Sequence, residues 1–201
     1  MKKSKVYTRI AAVVLAAGTS RRFGSNKLLY ILRGEPVLKR TTNALSKTNF
    51  WKKVAVTNGD DKLDSLLDED IFRIINDRYR EGIGTSIAAA TRYLRKDVDA
   101  ILFLLGDQPL VRPEDIERIV QEFLEMPDKV VAFSVSGSVR NPIIFPSTFF
   151  DELTRLSGDR GARDIALAHQ DSLSLMEIDP AHLLDLDTIN DVRAIEKYIE
   201  E

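Results

Sequence analysis

Residues 1–24, MKKSKVYTRIAAVVLAAGTSRRFG, admit two incompatible readings. Lysines followed by the apolar run from Ile10 to Gly18, with small residues at its end, have the layout of a secretion signal. The same residues fit a buried first β-strand that runs into a glycine-containing, arginine-rich loop. In the first reading the segment is removed; in the second it belongs to a binding site. The rest of the chain arbitrates. IAAVVLA (10–16), KVAVTN (53–58), FRIIND (72–77), AILFLLGD (100–107), KVVAFSV (129–135) and SLSLMEI (172–178) all read as strands. Several are almost continuously apolar, as expected of strands covered on both faces. Removing the first would take away one member of a matched set, so consistency along the chain favours the strand.

Between these runs lie stretches with helical spacing: EPVLKRTTNALSK (35–47), TSIAAATRYLRK (85–96), PEDIERIVQEFLEM (113–126), GARDIALAHQ (161–170) and TINDVRAIEKYIEE (188–201). Pro113, followed by Glu114 and Asp115, marks a helix start, and the basic end of 85–96 suits a helix C-terminus. The alternation predicts an α/β fold, a three-layer sandwich around a mostly parallel, Rossmann-like sheet, in one domain over residues 1–201. SGSVRNPIIFP (136–146) interrupts the pattern and reads as a loop with a short strand inserted beside the main sheet. Trp51 reads as a packing aromatic. His169 and His182 have no partner at metal-ligand spacing and read as structural or surface residues.

The chain has 201 residues, 44% of them hydrophobic and 30% charged, with a net charge of −2 and no cysteine. This suits a soluble globular protein with a sizeable core. No basic field is present to hold a nucleic acid, so none is expected as a partner. The lack of cysteine excludes disulfides, cysteine nucleophiles and thiolate metal sites. No apolar run reaches the ~20 residues that cross a bilayer, so no membrane partner is expected; with the strand reading of residues 10–16 preferred to a secretion signal, a cytoplasmic location is expected.

LAAGTSRRFGSNK (15–27) follows the first strand, where an open parallel sheet places its ligands. Gly18 and Gly24 permit tight turns, Thr19 and Ser20 offer hydroxyls, and Arg21, Arg22 and Lys27 crowd three cations together. That chemistry suits a polyphosphate, although a solvated basic connector has the same composition. Neither the P-loop pattern nor GxGxxG is present. Asp107, ending the apolar strand of FLLGDQPLV (103–111), is either a turn former or a ligand for magnesium. In LLDLDTIND (183–191), Asp185, Asp187 and Asp191 either cap the last helix or form a second acidic site. In DRYREGIGTSI (77–87), Gly82 and Gly84 precede a helix start whose Thr85 and Ser86 serve as caps or hold an anion. SGDRGARD (157–164) is by itself a charged turn before a helix.

LAAGTSRRFGSNKLL closely resembles the pattern LAAGxSxRxGxxK of the nucleotidyltransferases that act on molybdenum cofactor. It looks most like the cytidylyltransferase branch, with the guanylyltransferase branch nearby. Further elements follow in the family's order between residues 10 and 191. GIGTSI is similar to GMGxSL, GDQP to the DQP or DMP element, and DLDTIND to D-[IL]-D-T-x-x-D. SGDRGARD is similar to GD-x-GAR, and SGSVRNPIIF to G-x-x-G-[NH]-P-[VI]-x-[FY]. Phe23, where methionine is frequent, and Arg140, where glycine is usual, depart from the patterns.

The resemblance implies the nucleotidyltransferase type of sheet and transfer of CMP from CTP to the terminal phosphate of molybdopterin, with release of pyrophosphate. It implies a nucleotide site of Leu15, Ala16, Ala17, Gly18, Arg22, Gly24, Lys27, Gly84 and Ser86. Arg22 and Lys27 would lie on the phosphates and, with Asp107, carry catalysis. Asp107 and Asp187 would hold Mg2+, with Asp185 a weaker candidate. Asn141, Pro142, Asp159, Gly161 and Arg163 would lie on the acceptor side. The implied partners are CTP (or GTP), a phosphorylated pterin cofactor and a molybdoenzyme that receives it. The rivals are GTP as donor, a sugar or alditol phosphate as acceptor, a non-catalytic nucleotide sensor or pterin chaperone, and a flavin protein on the same fold.

Overall fold

A computed structural model describes residues 8–20 and 22–199; the lysine-rich start, Arg21 and the last two residues of the helix expected over 188–201 lie outside the described residues. The strands are β1 (Ile10–Ala16), β2 (Ile31–Leu32), β3 (Glu35–Pro36), β4 (Lys52–Thr57), β5 (Ile71–Ile75), β6 (Ala100–Leu105), β7 (Val130–Val135), β8 (Ser138–Pro146) and β9 (Leu173–Glu177). The helices are α1 (Val37–Ser46), α2 (Asp61–Asp64), α3 (Ile83–Leu94), α4 (Pro113–Glu125), α5 (Phe150–Leu153), α6 (Ala162–Ala168) and α7 (Ile189–Glu196). Among the described residues, one sheet runs in the order β5-β4-β1-β6-β8-β7-β9, and β2 and β3 form a separate hairpin.

The opening ambiguity resolves at β1. It lies near the middle of the sheet, parallel to both β4 and β6. Every one of its side chains is buried. Ile10, Ala12, Val14 and Ala16 enter one core, while Ala11, Val13 and Leu15 enter the other, across the sheet. Strand alternation combined with two covered faces leaves no position for a polar residue. β6 follows the same rule: Leu102 and Leu104 face the side packed by α1, α4 and α7, and Ile101 and Phe103 face α3, α5 and α6.

Three expectations need correction. Residues 136–146 do not lie beside the main sheet. They turn at Ser136 and Gly137, both with positive φ, and return as β8, antiparallel between β6 and β7. A two-residue turn with both φ positive matches the twist of the flanking strands, so the hairpin closes without a longer loop. The expected helix over 35–47 starts only at Val37, because Glu35 and Pro36 pair with Leu32 and Ile31. Trp51 is not packed inside; it is 62% exposed. Its amide bonds the carbonyl of Ile10 at the rim of the sheet, and its indole lies along a shallow groove with Phe72 and Tyr93.

Leu102 is fully buried at the centre of one core. Leu102→Ala should cost about 2–5 kcal/mol, the range for a cavity left by a buried leucine. Urea unfolding should show a lower midpoint at unchanged slope; a loss under about 1 kcal/mol would mean this core is not the one described.

Candidate active site

The loop after β1 is folded by its own short-range bonds. Ser20 takes a positive φ and its carbonyl accepts from the amide of Phe23 at 3.0 Å. Gly24 makes the second left-handed turn, at φ 81°. The Ser20 hydroxyl then accepts from the amide of Lys27 at 3.2 Å, and the Asn26 side chain accepts from Leu28 at 3.2 Å. Leu28 is sunk in the core, so Lys27 leaves the chain at a pinned point.

The Lys27 ammonium reaches two carboxylates. It lies 2.5 Å from Oδ2 of Asp107, just beyond β6, and 2.8 Å from Oδ1 of Asp187, just before α7. Arg22 reaches the other Asp187 oxygen at 2.9 Å from an otherwise exposed side chain. Helix capping does not explain Asp187, while Asp107 sits in the turn after β6 that the Gln108 amide closes onto the Leu105 carbonyl at 3.4 Å. α7 is capped by Thr188 and by Asp191, whose carboxylate accepts the amides of Asp187 and Thr188 at 3.1 and 2.7 Å. α4 begins at Pro113, well past Asp107. Burial opposes the charge on Lys27, but Asp107 and Asp187 outweigh it and hold the ammonium above its ordinary value. Burial likewise pushes Asp187 up, and Lys27 and Arg22 overcome this and hold it below the usual carboxylate value.

Asp185 behaves differently. It keeps an exposed edge, yet its carboxyl is pushed up to about 6, first by partial burial and then by the charge on Asp107. A hydrogen bond from the Gln108 side chain works in the opposite direction. Three acids thus meet two cations at one end of the sheet, and one of them, Asp185, gives up its proton less readily than an ordinary aspartate.

The start of α3 closes the opposite wall. Asn76 donates to the hydroxyls of Thr85 and Ser86 at 2.8 and 2.9 Å, which fixes Ser86 on the cleft. Tyr79 and Arg80 join it, the Arg80 Nε bonding the Tyr79 hydroxyl at 3.1 Å. Gly82 has φ 120°, and a Cβ there would overlap the carbonyl of Gly158. A Cβ on Gly84 would come within 2.7 Å of the Arg160 carbonyl. Both glycines therefore admit the 157–161 loop. Gly82→Ala should displace that loop and cost about 2–4 kcal/mol, combining a left-handed φ with overpacking; an unchanged melting temperature would refute this packing.

The resulting cleft holds about 560 Å³. It gathers Leu15, Ala17, Gly18, Arg22, Lys27, Ser86, Asp107, Asp159 and Asp187 of the residues singled out in the sequence. Ala16 lies in the core instead, Gly24 turns the loop after β1, and Gly84 backs onto the Arg160 carbonyl. Asn141, Pro142, Gly161 and Arg163 do not line the cleft. Asn141 and Pro142 are extra residues on β8, opposite the register shift between Ala132 and Phe133, and the Asn141 Oδ1 is buried without a partner. Gly161 precedes α6, its amide held by Asp164 at 2.6 Å. Tyr79, Arg80 and Ile83 were missed as lining residues; the signal was an aromatic and an arginine directly before the GIG turn.

A loop of hydroxyls and cations after β1, two carboxylates meeting at one end of the sheet and a mostly parallel sheet point to a nucleotidyltransferase. The chain belongs to the family of MobA-like NTP transferase domains, matched over residues 12–173. A protein named "Probable molybdenum cofactor guanylyltransferase" from Pyrococcus horikoshii is 31% identical over 115 residues, 57% of this chain and 57% of that protein. The match thus spans little more than half of that relative's length. The purine catabolism protein PucB of Bacillus subtilis is 27% identical over 192 residues, 89% of this chain and 92% of PucB. The crystal structure of Rv0371c from Mycobacterium tuberculosis H37Rv shares 26% identity and superposes with a TM-score of 0.82, covering 94% of this chain and 98% of that one. A manganese complex of the same protein superposes at 0.77 with 25% identity, covering 96% and 100%.

Proposed function

We propose that this chain transfers CMP from CTP to the terminal phosphate of a molybdopterin-type pterin, releasing pyrophosphate. The observation that carries this reading is the meeting of Arg22 and Lys27 with Asp107 and Asp187 in one cleft. Cations for a triphosphate beside carboxylates for a divalent ion are the parts phosphoryl transfer uses. The donor set fits magnesium. The gap between the two carboxylates already accepts a compact cation, the Lys27 ammonium. Among the described residues no cluster of three or more acidic or histidine side chains suits a metal. Two carboxylates completed by phosphate and water is the arrangement magnesium favours.

Asp107 and Asp187 would hold the ion, which when bound neutralises charge on the phosphates and polarises the α-phosphorus. The residues of the chain do the rest. The loop from Gly18 to Ser20 and the Ser86 hydroxyl orient the nucleotide. A pterin phosphate oxygen forms a bond to the α-phosphorus while the bond from that phosphorus to the β-bridging oxygen breaks. Pyrophosphate leaves with the electron pair, and Arg22 and Lys27 neutralise it. A phosphate monoester is already largely ionised near neutral pH, so no general base is needed. Asp159, on the cleft wall, belongs to the proposed acceptor side with Asn141, Pro142, Gly161 and Arg163. The reaction draws on nucleoside triphosphates and a soluble cofactor, which fits a cytoplasmic enzyme; no described helix is long and apolar enough to cross a membrane.

CTP is favoured by the motif LAAGTSRRFG, which looks most like the cytidylyl branch. GTP is the second reading, favoured by the name of the Pyrococcus relative. Pyrophosphate release with magnesium and CTP, GTP or ATP, with and without the pterin, separates them. Pterin-dependent release with CTP is expected; release with GTP alone moves the chain to guanylyl transfer. Nucleotide binding without any release would make it a binding protein or assign it another acceptor. Asp107→Ala should lower turnover at least about 100-fold while the domain stays folded. Normal turnover in that variant would remove Asp107 from the site.

A further inference from the structure

The two carboxylates of the cleft stand on segments far apart in sequence, and two polar links join these segments. The Leu186 amide donates to the Asp107 carbonyl at 2.9 Å. The second link lies outside the cleft. His182 Nδ1 is 2.9 Å from Oδ2 and 3.1 Å from Oδ1 of Asp115. Asp115 is only 3% exposed, and its carboxylate also accepts the Arg112 amide at 3.0 Å in the first turn of α4. A carboxylate accepts and does not donate, so Nδ1 carries the proton. His182 belongs to the short turn Pro180–Leu183, capped by Asp179 through the Ala181 amide at 2.9 Å.

We propose that His182 is a positioning residue: its bond to Asp115 fixes the register of residues 183–187 and so sets the spacing of Asp187 from Asp107. The inference rests on the nucleotidyl-transfer reading, which gives that spacing its purpose. Leu183 and Leu186 bury this segment, but hydrophobic burial is non-directional and tolerates sliding. A charge-assisted hydrogen bond to a buried, capped carboxylate is short and directional, and fixes one register. The Leu186 amide bond to Asp107 holds one end of this segment and the His182 bond holds the other, so together they leave it no freedom to slide. An ion shared by two carboxylates senses their separation, and magnesium demands near-ideal geometry. His182 touches neither ion nor nucleotide in this scheme and acts only through the segment it anchors.

The test is Mn2+ affinity by electron paramagnetic resonance, with CTP or GTP present, alongside nucleotide affinity in chelator and thermal melting. His182→Leu keeps bulk and removes the bond; His182→Ala makes the same comparison should the leucine variant not fold. Mn2+ affinity should fall about tenfold, the lower end for residues that orient metal ligands. Nucleotide affinity without metal should stay unchanged. His182→Asn, which restores a donor, should recover most of the loss, and adding Asp115→Ala to His182→Leu should cost little more. Equal Mn2+ affinity in wild type and His182→Leu, whatever the melting temperature, overturns the positioning role. Wild type that binds no Mn2+ with either nucleotide overturns the nucleotidyl-transfer reading itself, and the positioning role with it.

Discussion

The ammonium of Lys27 ties together three parts of the chain that lie far apart in sequence. It belongs to the loop after β1, and it reaches Asp107 at the end of β6 and Asp187 at the start of α7. Its side chain is 13% exposed, so these bonds act in a medium that screens them less than water does. A lone buried cation or a lone pair of buried acids would each carry a large desolvation cost; together they offset it. The rest of the site inherits its layout from this junction. Arg22 is drawn to the far side of Asp187, and the cleft opens between that pair and the start of α3.

The junction is possible because the sheet is covered on both faces. Helices on one side bring α7, and with it Asp187, over the ends of β1 and β6. Helices on the other side bring α3 and the 157–161 loop to the opposite wall. Neither layer alone makes a cleft. Gly82 and Gly84 let the second layer close tightly, and Asn76 at the end of β5 fixes the hydroxyls that face inward. Acidity is unevenly distributed within this frame: Asp187 is held below the usual carboxylate value by its cations, whereas Asp185 beside it is pushed up to about 6.

What the sequence made legible follows from how local each signal is. β1 and β6 could be read because burial on both faces writes an unbroken apolar run. The loop from 15 to 27 could be read because its glycines, hydroxyls and cations are contiguous. β8 could not be placed, since its antiparallel insertion between β6 and β7 depends on pairing that residues 136–146 do not encode alone. Trp51 misled because its aromatic character says packing, while its place at the rim of the sheet is decided by β4 pairing. The bond from His182 to Asp115 and the backing of Gly84 by Arg160 were out of reach for the same reason: each joins residues remote in sequence.

The order of assembly has a consequence during synthesis. The loop after β1 and Asp107 emerge early, and Asp187 comes late, just before α7. Long-range pairing of this kind forms slowly, because loop closure must precede the contacts that reward it. A nascent chain therefore holds its cations and its first acid well before the second acid arrives. Until then it lacks half of the carboxylate pair, and an incomplete chain cannot present a finished cleft.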